Sequence, residues 1–183
     1  MQIESRDDLT KDYKATSLNS GDIKLKDLSY DINEIAILKN ITLDINDGEK
    51  VGFVGNIGSG KTSLLRNIIG FYLPTKGNVT LSGYDLKNIP SEELRDYIGY
   101  CPQKIDLFTG SILENISTGI EGITEDDVIE AAKLSCAHDF ITKMPGGYNY
   151  ILNDNGSNLS GGQRQAIALA RCLVRKPKVL VLD

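Results

Sequence analysis

Three stretches of the chain carry residue types whose spacing could do chemistry. The first is Gly55-Asn56-Ile57-Gly58-Ser59-Gly60-Lys61-Thr62, followed by Ser63. It fits G-x-x-x-x-G-K-[ST], a phosphate-binding loop. Glycines let successive backbone N–H groups converge on one point with no Cβ in the way. The helix that follows adds about half a positive elementary charge at its N-terminus. Lys61 can add a full charge against the outer phosphates, and the Thr62 hydroxyl can ligate Mg²⁺. The second stretch, Leu159-Ser160-Gly161-Gly162-Gln163, sets two glycines and a serine donor before another helix, a second anion-seeking terminus. The third is the apolar run Val179-Leu180-Val181-Leu182 ending on Asp183, a carboxylate that can hold Mg²⁺ beside phosphates. Each alone has a plain structural reading, respectively a glycine turn, a capped helix and a buried strand.

Positioning these groups requires a strand, a loop and a helix in succession. Val51 to Val54 reads as a buried strand, and Leu64, Leu65, Ile68 and Ile69 share one face of the helix after the loop. Upstream, Ile23, Leu25, Leu28 and Tyr30 alternate with lysines and predict an edge strand wet on one side. Ile41 to Ile45 repeats the alternation, and Asn46-Asp47-Gly48 supplies a turn. Downstream, Asn78 to Leu81 is a short strand, Ser91 is expected to cap a helix through Tyr97, and Ile98 to Cys101 is a strand stopped by Pro102. From about residue 104 to 160 the pattern turns helical. Ser111 to Ser117 is one segment, and Thr124 with Asp127 forms a capping box ahead of Val128 to Leu134. That region reads as a helical subdomain inserted into an α/β core. A strong helix returns over Gly161 to Val174, ended by Pro177. Ligands of such a fold are expected beyond the carboxyl ends of the strands.

Composition sets the outer bounds. The 183 residues suit one domain, with residues 1–20 a polar linker and 21–183 the folded part. A net charge of −5 gives no support to a nucleic-acid partner. No apolar run approaches the 18 or so residues of a membrane span, and no signal peptide opens the chain. Cys101, Cys136 and Cys172 lack C-x-x-C spacing and read as reduced thiols without a zinc or redox role.

Leu159 to Gln163 matches the LSGGQ signature of ABC transporter ATPases at every position, and lies between the phosphate loop and the strand ending on Asp183. The chain from Gly21 to Asp183 resembles that family. The resemblance implies a P-loop NTPase core with an antiparallel β subdomain and an inserted helical subdomain, binding ATP and Mg²⁺. It implies catalytic roles for Lys61, Gln103 and Asp183, and Mg²⁺ contacts from Thr62, Gln103 and Asp183. Gln103, in Tyr100-Cys101-Pro102-Gln103, resembles the Q-loop glutamine. Tyr30 resembles the aromatic that stacks on adenine, though strand packing would equally explain it. Asp154 aligns with the exporter X-loop, where a glutamate is usual. Such domains work as head-to-tail pairs, so Ser160 to Gln163 of one copy would face Gly55 to Ser63 of the other with ATP between them. A transmembrane domain is the other implied partner, which puts the chain on the cytoplasmic side of the inner membrane. Leu107 to Ile112, Pro145 to Tyr148 and Gly156 to Gln165 are most similar to exporters, particularly bacterial type I secretion ATPases, and Met1 to Arg6 resembles the connector after a last membrane helix.

In the family pattern a catalytic glutamate, a D-loop, a further core strand and a switch histidine follow the aspartate. None lies within the 183 residues, and the single histidine, His138, sits in the helical part. The expectation is weak Mg-ATP binding, little hydrolysis, and an uncovered apolar edge beside Val179 to Leu182 that promotes aggregation. Two alternatives stay open: a non-catalytic nucleotide-binding fragment, and a soluble, non-transport ABC ATPase.

Overall fold

A computed structural model describes residues 17–183; most of the expected linker, 1–20, lies outside the described residues. The chain divides into two compact units, residues 17–98 with Asp183, and residues 99–182.

The first unit is built on a four-stranded antiparallel sheet ordered β2-β1-β3-β4, with β1 Ile23–Ile32, β2 Ile35–Ile45, β3 Lys76–Leu81 and β4 Tyr84–Asp85. Asn33 and Glu34 join β1 to β2, both at positive φ (49° and 65°), the backbone of a type I′ hairpin turn. The alternation read from sequence is real: Ile23 and Leu25 are buried while Lys24 and Lys26 are exposed. The edge assignment is corrected. β1 is flanked on both sides, pairing Leu25 with Leu43 on β2 and with Val79 on β3. A wet face does not make an edge, because side chains alternate across the sheet while hydrogen bonds run within its plane.

Helix α1, Lys61–Ile68, follows the phosphate loop and buries Leu64, Leu65 and Ile68. The expected strand at Val51 to Val54 does not form as a paired strand, and Val54 is 99% exposed. An apolar run becomes a strand only with a neighbour to complete its ladder, and among the described residues none pairs with it. Helix α2, Ser91–Tyr97, has the predicted extent but not the predicted cap. Pro90 occupies the cap position and Ser91 is the first helical residue, with Glu92 and Glu93 placed to favour the helix dipole.

The second unit contains β5 Ile98–Cys101, all but its first residue, paired with β8 Val179–Leu182, and a helical part comprising α3 Ile112–Ser117, α4 Glu125–Leu134, α5 His138–Ile141 and α6 Gly161–Leu173. A small ladder joins β6 Gly110–Ser111 to β7 Ile151–Leu152. Leu107, Ile112, Ile116, Val128, Ile141, Leu152 and Ile167 are all at most 2% exposed and form its core. Each such side chain contributes about 1.5–3 kcal/mol by leaving water. Both helix starts carry reciprocal caps, Thr124 with Asp127 as predicted, and Ser111 with Glu114, where Ser111 is the cap residue and not the first helical one. Arg171 on α6 fastens α3 and the segment before it: its guanidinium donates to the Asn115 carbonyl (2.7 Å), Asn115 Oδ1 (3.0 Å) and the Asp106 carbonyl (3.1 Å), and lies over the Phe108 ring. On β8, Val181 is buried but Leu180 and Leu182 are 42% and 58% exposed.

Candidate nucleotide-binding site

The phosphate loop occupies residues 55–60 and runs directly into α1. Gly60 is the residue before the helix, at φ 88°, and a Cβ there would lie 2.9 Å from Leu38 Cδ2 and 3.3 Å from the Ile37 carbonyl. Gly55 is restricted differently, since a Cβ would meet Ser59 Oγ at 2.7 Å. Only glycine fits the first without strain, and the second keeps the loop tight. The loop closes with a Ser59 N–H bond to the Asn56 carbonyl (3.2 Å). The first intrahelical bond runs from Leu64 N–H to the Gly60 carbonyl (2.8 Å). The N–H groups of Lys61, Thr62 and Ser63 therefore have no acceptor within the helix, and no side chain caps this end.

Lys61 bends back over its own loop. Its Nζ donates to the Gly55 carbonyl (2.8 Å) and the Asn56 carbonyl (2.9 Å), with Ser59 Oγ at 3.4 Å. The ammonium thus sits over the loop at partial exposure, while Asn56, Ile57, Gly58 and Ser59 are exposed around it.

Thr62 meets Asp183 across 121 residues of sequence: its hydroxyl donates to Asp183 Oδ1 at 2.9 Å. A hydroxyl and one carboxylate are hard oxygen donors, the set Mg²⁺ uses when most of its remaining ligands are phosphate oxygens and water. The donor chemistry fits that ion.

Tyr30 stands where the β1–β2 register shifts, between Leu28 and Asp31, and its ring lies against Tyr72 with centroids 5.3 Å apart and planes 8° apart. Burial and the neighbouring Tyr72 hydroxyl hold the Tyr30 phenol above its ordinary pKa, partly offset by Arg66. Tyr72 and Arg66 were not singled out by sequence; residue 72 is 42 positions from Tyr30, and only the fold joins them.

The remaining predicted residues belong to the second unit. Gln103 is exposed just past β5. Ser160 caps α6: its Oγ accepts from Gln163 N–H (3.2 Å), and Gln163 Oε1 accepts from Ser160 N–H (2.9 Å). Ser160, Gly161 and Gly162 are exposed, so the first amides of α6 face solvent. Leu159 is buried below them, and Arg164 donates to the Leu159 carbonyl at 2.7 Å, fixing the turn. Asp154 is exposed on the short turn 154–156. His138 is bonded to the Tyr148 hydroxyl (2.9 Å).

Comparison with known proteins gives this arrangement its name. A family model described as ABC transporter matches residues 38–183. The alpha-hemolysin translocation ATP-binding protein HlyB of Escherichia coli is 44% identical over 166 residues, covering 90% of this chain and 24% of that protein. The ATP-dependent lipid A-core flippase of Syntrophus aciditrophicus (strain SB) is 39% identical over 161 residues, covering 88% of this chain and 27% of the flippase. The structure of a bacterial Atm1-family ABC exporter with ATP bound superposes with a TM-score of 0.88 at 31% identity, over 94% of this chain and 30% of that one. The chain thus spans about a quarter of the length of these two curated relatives. No helix among the described residues is long and apolar enough to cross a membrane. On its motifs, its fold and its relatives, the chain belongs to the ABC transporter family and is an ATP-binding domain of the exporter kind.

Proposed function

We propose that this chain binds Mg-ATP at residues 55–63 and works as a head-to-tail pair that drives an exporter's transmembrane domain from the cytoplasmic side of the inner membrane. Type I secretion of a protein or peptide is the transport reaction favoured, given the similarity to the HlyB protein. The observation that carries the reading is the bond between Thr62 and Asp183, both in the first unit, which brings a hydroxyl and a carboxylate together at the start of the phosphate-loop helix.

In this reading the loop amides and Lys61 hold the β- and γ-phosphates, and Tyr30 stacks on the base. Thr62, Asp183 and Gln103 hold Mg²⁺, which when bound supplies positive charge against the phosphates. Gln103 also orients the attacking water. Ser160 to Gln163 of the second copy present the exposed α6 amides to the γ-phosphate, which neither copy encloses alone. Pairing excludes water and strengthens each of these contacts. Loss of the γ-phosphate removes the link between copies and lets them part. The limits of the folded part (21–183) and of the helical subdomain (about 104–160) belong to the same proposal. So does the low activity of the 183-residue chain, whose single histidine, His138, is tied to Tyr148.

Thermal melting and isothermal titration of the full chain test this. Mg-ATP at millimolar concentration should raise the melting temperature, while phosphate release stays far below the typical order of 10 s⁻¹. Thr62→Ala and Asp183→Asn should each remove the Mg²⁺-dependent part of the binding and spare the Mg²⁺-free part. No response to Mg-ATP would sink the nucleotide reading, and brisk turnover by the chain alone would sink the low-activity one.

A further inference from the structure

The stack beneath Tyr30 carries an inference that rests on the nucleotide reading and deepens it. Tyr72 covers one face of the Tyr30 ring almost parallel, at 5.3 Å between centroids. Tyr72 is itself held in three ways. Arg66 Nη1 donates to its hydroxyl (3.1 Å) and the guanidinium carbon lies 5.7 Å from its ring centroid. The Tyr72 N–H donates to the Arg66 carbonyl (3.2 Å), beside the Phe71 N–H on the same acceptor (2.9 Å). Three residues on, Thr75 N–H and Oγ1 both bond the Ser29 carbonyl, at 2.9 and 3.0 Å, which anchors the segment beside β1 next to Tyr30.

An aromatic ring at a strand irregularity is free to swing about its last torsion unless something packs on it. Here one face is packed and Tyr30 remains only partly buried, so a planar ligand has one face left to take. The plane that face offers is set by Tyr72, and Tyr72 is bonded to the last turn of α1, whose first turn holds Lys61 and Thr62. We propose that Tyr72, locked by Arg66, is a positioning residue that presets the Tyr30 ring for a stacked purine base and couples that platform to the phosphate-loop helix. A preset ring spares the ligand the cost of ordering it, which predicts an effect confined to ligands that carry a base.

The chain contains no tryptophan, so Tyr30→Trp gives a single fluorescent reporter. ATP should quench it, and ribose 5′-triphosphate, which lacks the base, should not. Tyr72→Leu in the otherwise unaltered full chain should weaken ATP binding about three- to tenfold and leave ribose 5′-triphosphate binding unchanged. Tyr72→Phe, which keeps the ring, should retain most of the ATP affinity. Equal quenching of Tyr30→Trp by both ligands would overturn the base-stacking role of Tyr30 and this inference with it. Quenching by ATP alone, with Tyr72→Leu binding ATP normally, would overturn the inference and leave the nucleotide reading standing. Equal weakening of both ligands by Tyr72→Leu would mark a general loosening of the phosphate loop and also overturn it. Melting curves confirm that the variants fold; if Tyr72→Leu does not, Arg66→Met, which removes the lock and keeps the Tyr72 ring, should weaken ATP and spare ribose 5′-triphosphate, and normal ATP binding by it would overturn the inference.

Discussion

Helices α1 and α6 both begin with glycines and exposed amides, yet they treat those amides in opposite ways. At α6 the chain caps itself, Ser160 and Gln163 each bonding the other's backbone. At α1 no side chain caps the helix, the residue before it is a glycine at φ 88°, and Lys61 is folded back on the loop carbonyls. The Ser160–Gln163 cap satisfies one of the first amides of α6 and leaves others open, whereas at α1 no side chain satisfies any of them. On the proposed reading, the first helix would receive phosphate and the second would be offered to a neighbour's.

Breaking α1 should cost the most. Lys61→Ala should weaken ATP binding about 10- to 100-fold by removing a charge-assisted contact, read by titration calorimetry. The next test sets two glycines against each other. Gly60→Ala should destabilise the unliganded chain by about 1–2 kcal/mol in urea melts, from the left-handed backbone and the contact with Leu38. Gly162→Ala meets open space at an ordinary φ and should change stability by less than about 0.5 kcal/mol. If the two cost the same, the contrast between the termini fails.

Smaller effects test α6 and its neighbour. Ser160→Ala should cost about 1 kcal/mol of stability and weaken ATP-driven pairing, followed by light scattering. Ser160→Asp should restore the cap but not the pairing, since a carboxylate caps a helix and repels a phosphate. The smallest effect concerns α4. Bonds from the Thr124 hydroxyl, then Lys176 and the Thr124 N–H, hold the Asp127 carboxyl down to about 2. A depressed carboxylate contributes stability that is complete above its ordinary range and is lost as pH falls toward 2. Asp127→Asn should therefore lower the melting temperature slightly at neutral pH and flatten its decline between about pH 4 and 2. An unchanged acid slope would rule this out.

What could be read in the sequence was local. The loop at 55–63, the capping box at Thr124, and the reach of β5 and α2 follow from nearest-neighbour chemistry and appear where expected, while the box at Ser111 and Glu114 is an addition of the structure. What could not be read depends on pairing at a distance. Val51 to Val54 has strand composition but no partner in the described chain, and β1 looked like an edge because its partner β3 lies some fifty residues on. Cys101 and Cys172 illustrate the same limit. They looked unrelated by spacing, but the fold brings the thiols into hydrogen-bond contact. That bond draws Cys101 down to about 7 and, with burial, pushes Cys172 up. The Tyr30–Tyr72 stack is a third such meeting.

The folded-back lysine has a thermodynamic corollary. Because its ammonium already has backbone oxygens around it, an arriving triphosphate would largely exchange one set of acceptors for another. Exchange yields a smaller net gain than filling an empty valence, so the loss on Lys61→Ala would fall short of the full strength of a charge-assisted bond formed from nothing.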